Sequence, residues 1–134
     1  MDVETRRVLI VDDDDDLRHA LSYLLSDAGY TVDEAPDGRR ALERLHASRD
    51  GMVVLLDLRM PVLDGVEVMR AVVAHEYLAR RHAYILMTAD HEWFPPLFLT
   101  VLDELKVPIL AKPFDIFRTL DVVRLAEQRL KTGT

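Results

Sequence analysis

The stretch "VLIVDDDDDLRHAL" (residues 8–21) decides how the rest of the chain is read. Four apolar residues end abruptly in five aspartates, Asp12 to Asp16, and beyond them the apolar period changes. A short apolar run without alternation is the pattern of a strand covered on both faces. From Leu17 the apolar positions Leu17, Ala20, Leu21, Leu24 and Ala28 share one face of a helix, and Gly29 supplies its stop. Five adjacent carboxylates repel one another, so they are expected to divide between separate tasks. On this reading Asp12 and Asp13 close the strand, and Asp14 sits at the rim beside them. Asp15 caps the helix, and Asp16 lies in its first turn, where negative charge suits the dipole.

The same strand-then-helix unit recurs. "YTVDEA" is a second strand, and Asp37 caps a helix that turns Ala41, Leu42 and Leu45 inward. "MVVLLD" repeats the buried-strand pattern, Gly65 to His75 reads as a third helix, and "AYILMT" as a fourth strand. Pro95 and Pro96 suit a helix start, with Leu97 to Lys106 continuing it. "PIL" is a short fifth strand. Asp115 is placed to cap a last helix with Ile116, Leu120, Val123 and Ala126 toward the core. Alternating buried strands and helices imply an α/β fold, a doubly wound parallel sheet with helices on both faces.

Composition narrows the function. A chain of 134 residues fits one domain with a core at about 6–131. It has no cysteine, which excludes a disulfide framework and a thiolate zinc site. The net charge of -7 argues against nucleic-acid binding, because phosphate backbones reward a basic surface. No apolar run reaches membrane-spanning length and "MDVETRR" lacks a signal-peptide core, so a cytoplasmic location is expected. An EF-hand loop starting at Asp12 fails, since its sixth and twelfth positions hold Leu17 and Tyr23 instead of glycine and glutamate.

In an open parallel sheet, ligands bind beyond the carboxyl ends of the strands. The residues there are Asp12 and Asp13 after "VLIV", Asp57 after "MVVLL", Thr88 after "AYILM" and Lys112 after "PILA". Three close carboxylates stay ionised cheaply only with a cation among them. An all-oxygen donor set suits Mg²⁺, which keeps waters and adds a phosphate oxygen. Lysine and threonine supply donors to the remaining phosphate oxygens, and a carboxylate can itself be the nucleophile. The sheet edge therefore reads as a phosphoryl-transfer site.

"LIVDD", "LLDLRMPVLDG", "MTA" and "AKPF" come in an order and spacing that resemble the receiver (CheY-like) domain of two-component response regulators. The resemblance covers nearly the whole chain. It implies a flavodoxin-like (βα)5 fold with strand order 2-1-3-4-5. It also implies that Asp57 accepts a phosphoryl group from the phosphohistidine of a sensor histidine kinase or histidine phosphotransfer protein. Asp13 and Asp57 match direct Mg²⁺ ligands, joined by the backbone carbonyl of Arg59, and Asp12 matches the acid that reaches the metal through water. Thr88 and Lys112 match the groups that contact the phosphate, and the backbone N–H of Ala89 joins them. Hydrolysis of the aspartyl phosphate would end the signal.

The resemblance makes a stand-alone receiver the expectation, with no output domain over residues 1–134. The rival readings are a phosphorylation-independent interaction module and a receiver segment of a larger regulator or hybrid kinase. Two departures bear on this. Ile109 occupies the place of the aromatic that many receivers couple to the threonine. The segment from Trp93 to Leu110 is richer in apolar residues than a surface helix needs, and is expected to form a partner or self-association surface. Arg59 and Asp90 are expected to overhang the phosphate.

Overall fold

The computed structural model describes residues 6–89, 94–112 and 115–132, with the backbone alone at 132. Five strands form one sheet: β1 (Arg7–Val11), β2 (Thr31–Ala35), β3 (Val53–Asp57), β4 (Ala83–Ala89) and β5 (Ile109–Lys112). All pair in parallel, in the order β2-β1-β3-β4-β5. The helices are α1 (Asp15–Asp27), α2 (Gly38–Ala47), α3 (Gly65–Ala74), α4 (Glu76–Arg81), α5 (Pro96–Glu104) and α6 (Ile116–Thr132). This is the expected flavodoxin-like arrangement. No described helix is long and apolar enough to cross a membrane.

The pleat divides the core in two. Leu9, Val11, Val54, Leu56, Tyr84 and Leu86 point to one face, beneath α2, α3, α4 and α5. Val8, Ile10, Val53, Leu55, Ile85 and Met87 point to the other, beneath α1 and α6. Because both faces are covered, β3 is buried along its whole length and its sequence shows no polar alternation. Burying each of these large side chains stabilises by about 2 kcal/mol, and this covered centre is what holds the strand ends rigid.

Four local expectations are corrected. The cap of α1 is Asp14, whose carboxylate accepts from Leu17 N–H at 3.2 Å, and Asp15 instead lies inside the first turn. On α1 the expected face holds at Leu21, with Leu17 and Ala28 packed partly buried against the same core, but Ala20 is exposed and Arg18 and Leu25 are buried as well. Ile116 is 56% exposed, since α6 turns Val123 and Ala126 to the sheet. Where one helix was expected before β4, there are two. His75 takes an extended backbone that ends α3, and α4 follows with Leu78 fully buried. Six residues with one buried leucine carry no readable period.

His82, just before β4, fastens this second helix to its neighbours. Its Nδ1 accepts from Met52 N–H at 3.0 Å, and its Nε2 lies 3.1 Å from the Leu45 carbonyl. Burial pushes the imidazole below its ordinary value of 6.5, and nearby Arg81 adds to this against the pull of the Leu45 carbonyl. The neutral ring keeps both bonds above pH 6.5. As pH falls from there, the unfolded chain takes up a proton that the native ring resists, and stability declines until the lowered native value is passed. Denaturant unfolding at pH 7.5 and at pH 5.5 should show a loss in the natural protein that is smaller in His82→Gln. An equal loss in both would remove His82 as its source.

Candidate phosphoryl-transfer site

The β1–β3 register sets Val11 opposite Leu56, so the next residues, Asp12 and Asp57, come side by side at the carboxyl edge. On the other flank the β4–β5 register sets Thr88 opposite Ala111 and Ala89 opposite Lys112. One carboxylate oxygen from each of Asp12, Asp13 and Asp57 falls in a cluster whose members all lie within 4.8 Å of one another. Asp12 is 0% and Asp57 5% exposed, whereas Asp13 is open to solvent. The five carboxylates of the opening stretch are thus divided. Asp12 and Asp13 join Asp57, Asp14 caps α1, Asp15 pairs with Arg18 at 2.7 Å, and Asp16 lies in the first turn of α1.

Lys112 holds the buried pair together. Its Nζ lies 3.1 Å from Asp57 Oδ1 and 3.3 Å from Asp12 Oδ2. Burial alone would lower the ammonium, but Asp57 and Asp12 outweigh it and its pKa is raised. Burial pushes Asp57 up to about 6, with Asp12 adding to the rise and Lys112 opposing it. One lysine therefore offsets only part of the repulsion. Asp57 is still predominantly ionised at neutral pH.

The donor set fits a hard divalent cation. It consists of carboxylate oxygens, and the raised Asp57 marks an excess of negative charge that such an ion would relieve. Asp13 makes no side-chain hydrogen bond or ion pair in the described structure, so its oxygens are available. Asp12 differs, because Oδ1 accepts from Asp14 N–H at 2.9 Å and Oδ2 from Lys112. An acid so engaged is suited to contact through a water.

Thr88 is buried at the end of β4, and its hydroxyl donates to its own strand at the Ala89 carbonyl, 3.1 Å away. Ala89 is exposed beside it, and Arg59 is exposed two residues after Asp57. Asp90 lies outside the described residues. The loop after Asp57 is tightly built. Gly65 donates to the Leu58 carbonyl at 2.8 Å, and a Cβ there would stand 2.6 Å from the Asp57 carbonyl oxygen. Asp64 and Glu67 form a reciprocal capping box that fixes the start of α3. Val62 has φ 71, a left-handed conformation costly for a β-branched residue.

Residues 8–124 match the family model described as the response regulator receiver domain. The chain belongs to that family. This receiver chain is 37% identical over 126 residues to the regulatory protein AtoC of Escherichia coli (strain K12), covering 92% of the chain and 24% of AtoC. It is 33% identical over 122 residues to the C4-dicarboxylate transport transcriptional regulatory protein DctD of Rhizobium meliloti (strain 1021), covering 91% and 25%. The chain thus spans about a quarter of the length of these curated relatives. Among solved structures, a response regulator receiver domain protein (CheY-like) from Methanospirillum hungatei JF-1 superposes with a TM-score of 0.76. Its identity is 31%, with 95% of each chain covered. Vibrio cholerae chemotaxis protein CheY4 gives a TM-score of 0.73 at 29% identity, covering 91% of this receiver and 98% of that chain.

Sequence reasoning missed Arg18. Its guanidinium is buried beneath Asp12 and donates to the Asp12 carbonyl at 2.8 Å, to Glu34 at 2.8 Å and to Asp15 at 2.7 Å. The signal was an arginine at the spacing of Leu21 and Leu25, a charge on an inward face that demands partners. In this receiver Arg18 ties the end of β1 to β2 and α1. Its loss should cost about 2 kcal/mol, below the usual figure for a buried pair because Asp15 and Glu34 are partly exposed. Urea unfolding of Arg18→Ala checks this, with Arg18→Lys expected to recover only part, since an ammonium lacks the guanidinium fork. An unchanged midpoint in Arg18→Ala would rule the tether out.

Proposed function

We propose that Asp57 accepts a phosphoryl group from the phosphohistidine of a sensor histidine kinase or histidine phosphotransfer protein, and that the phosphorylated receiver changes partner affinity. The observation that carries this is the placement of Lys112 between Asp57 and Asp12, with Asp13 open beside them. An ionised Asp57 oxygen attacks phosphorus, the P–O bond forms as the P–N bond breaks, and the imidazole leaves with the electron pair. Asp12, Asp13 and Asp57 would hold Mg²⁺, with the Arg59 carbonyl. When bound, the ion supplies charge neutralisation for the phosphoryl oxygens. Lys112 is placed to exchange its contact with Asp57 for a phosphoryl oxygen. Thr88 Oγ and the Ala89 N–H would receive another, the hydroxyl first leaving its own strand carbonyl.

Incubation with Mg²⁺ and acetyl phosphate should give one acid-stable, base-labile phosphate, absent in Asp57→Asn and in EDTA. Lys112→Ala should slow its formation on the order of 100-fold, as expected for removal of a charged transition-state donor. Incorporation that persists in Asp57→Asn, or none with phosphohistidine donors either, would sink the proposal. The second result would favour the phosphorylation-independent module.

Two finer points belong with this reading. A stand-alone cytoplasmic receiver and the receiver segment of a longer regulator would use the same chemistry. The quarter-length matches favour the second setting, and the mass of the protein recovered from its source cells decides between them. Self-association, or docking of a downstream protein partner, would use the region assigned to Trp93–Leu110. Trp93 lies outside the described residues. Phe94 and Phe98 pack together against the core, while Leu97 is 81% exposed and Leu99 and Ile109 are partly so. Sedimentation velocity across concentration should show a dimer strengthened by a phosphate analogue and weakened in Leu97→Glu. A strict monomer in all conditions would leave only the partner role.

A further inference from the structure

A second charged site lies at the opposite, amino edge of the sheet. A cleft of about 610 Å³ is bounded by the start of β1, the segment before β3, the end of α4, the turn between α5 and β5, and the last turns of α6. Arg7 enters it from the start of β1 and Arg6 from just before it, Arg80 and Arg81 from α4, and Lys106, Arg129 and Lys131 from the remaining walls. Asp50, Glu104 and Glu127 are the carboxylates among its lining residues, a local balance of +4 in a chain whose net charge is -7. Helix C-termini gather at this edge and explain part of that charge. Three ends of about half a negative charge each account for roughly 1.5 of it. Asp33 and Glu76, paired with Arg7 and Arg80 from outside the cleft, offset two more charges, so the positive surplus appears when those exposed pairs exchange for another anion.

Of the three carboxylates only Glu127 is buried, while Asp50 and Glu104 are exposed at the rim. Glu127, the buried carboxylate, already receives Arg6 at 3.1 Å, Tyr30 Oη at 3.0 Å and Lys131 at 3.5 Å. Arg7 reaches out to Asp33 at 3.8 Å and Arg80 to Glu76 at 2.7 Å, exposed pairs of the kind that contribute little and exchange readily for another anion. Arg81 lies over the Tyr77 ring, 4.5 Å from its centroid. Lys106 has no carboxylate partner among the described residues. It is also held at φ 56, where glycine or asparagine would sit at less cost. That conformation closes α5, since Lys106 N–H donates to the Asp103 carbonyl at 3.1 Å and Val107 N–H to the Leu102 carbonyl at 2.8 Å, and it leaves the amine at the cleft without a carboxylate.

We propose that this cleft binds an oligophosphate, a chain of linked phosphates either free or carried on a nucleotide. Guanidinium forks and an amine converging on one volume match several phosphate oxygens at once, which a single carboxylate cannot use. The volume suits a small molecule. The Tyr30 ring is already covered by Arg6 at 4.3 Å, so the recognised chemistry is the phosphate chain and not a stacked base. The inference is independent of phosphorylation at Asp57.

Calorimetric titration with tripolyphosphate, in EDTA and at fixed ionic strength, should give saturable one-to-one binding at least about tenfold tighter than sulfate. Amide NMR shifts should centre on Gly51, Lys106 and Leu130. Adenosine triphosphate binding equally well would mark the phosphate chain as the whole determinant and supports the site, whereas much tighter binding would overturn the phosphate chain as the recognised chemistry. Lys106→Gly should weaken tripolyphosphate about tenfold while the melting temperature holds or rises, because glycine takes the left-handed backbone freely. Arg81→Gln should weaken it as well. Sulfate binding as tightly, shifts centred at the Asp57 edge, or unchanged affinity in Lys106→Gly would overturn the proposal. Tighter binding of polyglutamate than of tripolyphosphate would overturn it in favour of an acidic peptide.

Discussion

The repulsion between Asp12 and Asp57, brought together at the ends of adjacent strands, is the constraint around which the molecule is built. Lys112 offsets part of it from 3.1 and 3.3 Å, and burial prevents water from doing the rest. A site that stays this charged needs rigid walls, or the acids would move apart. The walls are the three central strands, whose faces are sealed by two separate apolar layers. Gly65 lets α3 press against the Asp57 carbonyl, and Arg18 grips the Asp12 carbonyl from below. The unspent repulsion is what a cation held among these acids would relieve.

The parallel topology also sorts charge along the molecule. Every crossover brings a helix start to the carboxyl edge and a helix end to the amino edge. Acids that cap helices therefore collect near the site, as Asp14, Asp37 and Asp64 do. Cations collect at the other edge, where the helix ends lie. The two edges are consequently of opposite sign, and the proposed oligophosphate cleft is an excess over that general trend.

Much of this was legible because strand ends are marked locally. A buried strand must stop where polarity begins, so Asp12, Asp57, Thr88 and Lys112 announced the carboxyl edge without any knowledge of neighbours. Asp37 and Asp115 were readable as caps for the same reason, since a cap acts within three residues. The first helix was harder. Five aspartates in a row offer several caps, and only the backbone path after Asp12 decides that Asp14 takes the role. The inward face of α1 was read only in part: Leu17, Leu21 and Ala28 lie on it, but Arg18 occupies a core position that polarity rules assign to solvent. The short α4 escaped because one buried leucine makes no pattern.

The sequence by itself determined the alternation of buried strands and helices, the chemistry at each strand end and, through its motifs, the receiver family. These are local properties, fixed by residues within a few positions of one another. Tertiary structure alone decided which strand ends meet, that Lys112 bridges Asp12 and Asp57, and that Arg18 underpins them. It alone decided that arginines and lysines from both halves of the chain line one cleft at the far edge. Glu127 shows the reason. Its partners Arg6 and Tyr30 are 121 and 97 positions away, and proximity across such separations is set by the register of the sheet and leaves no periodic trace in the chain.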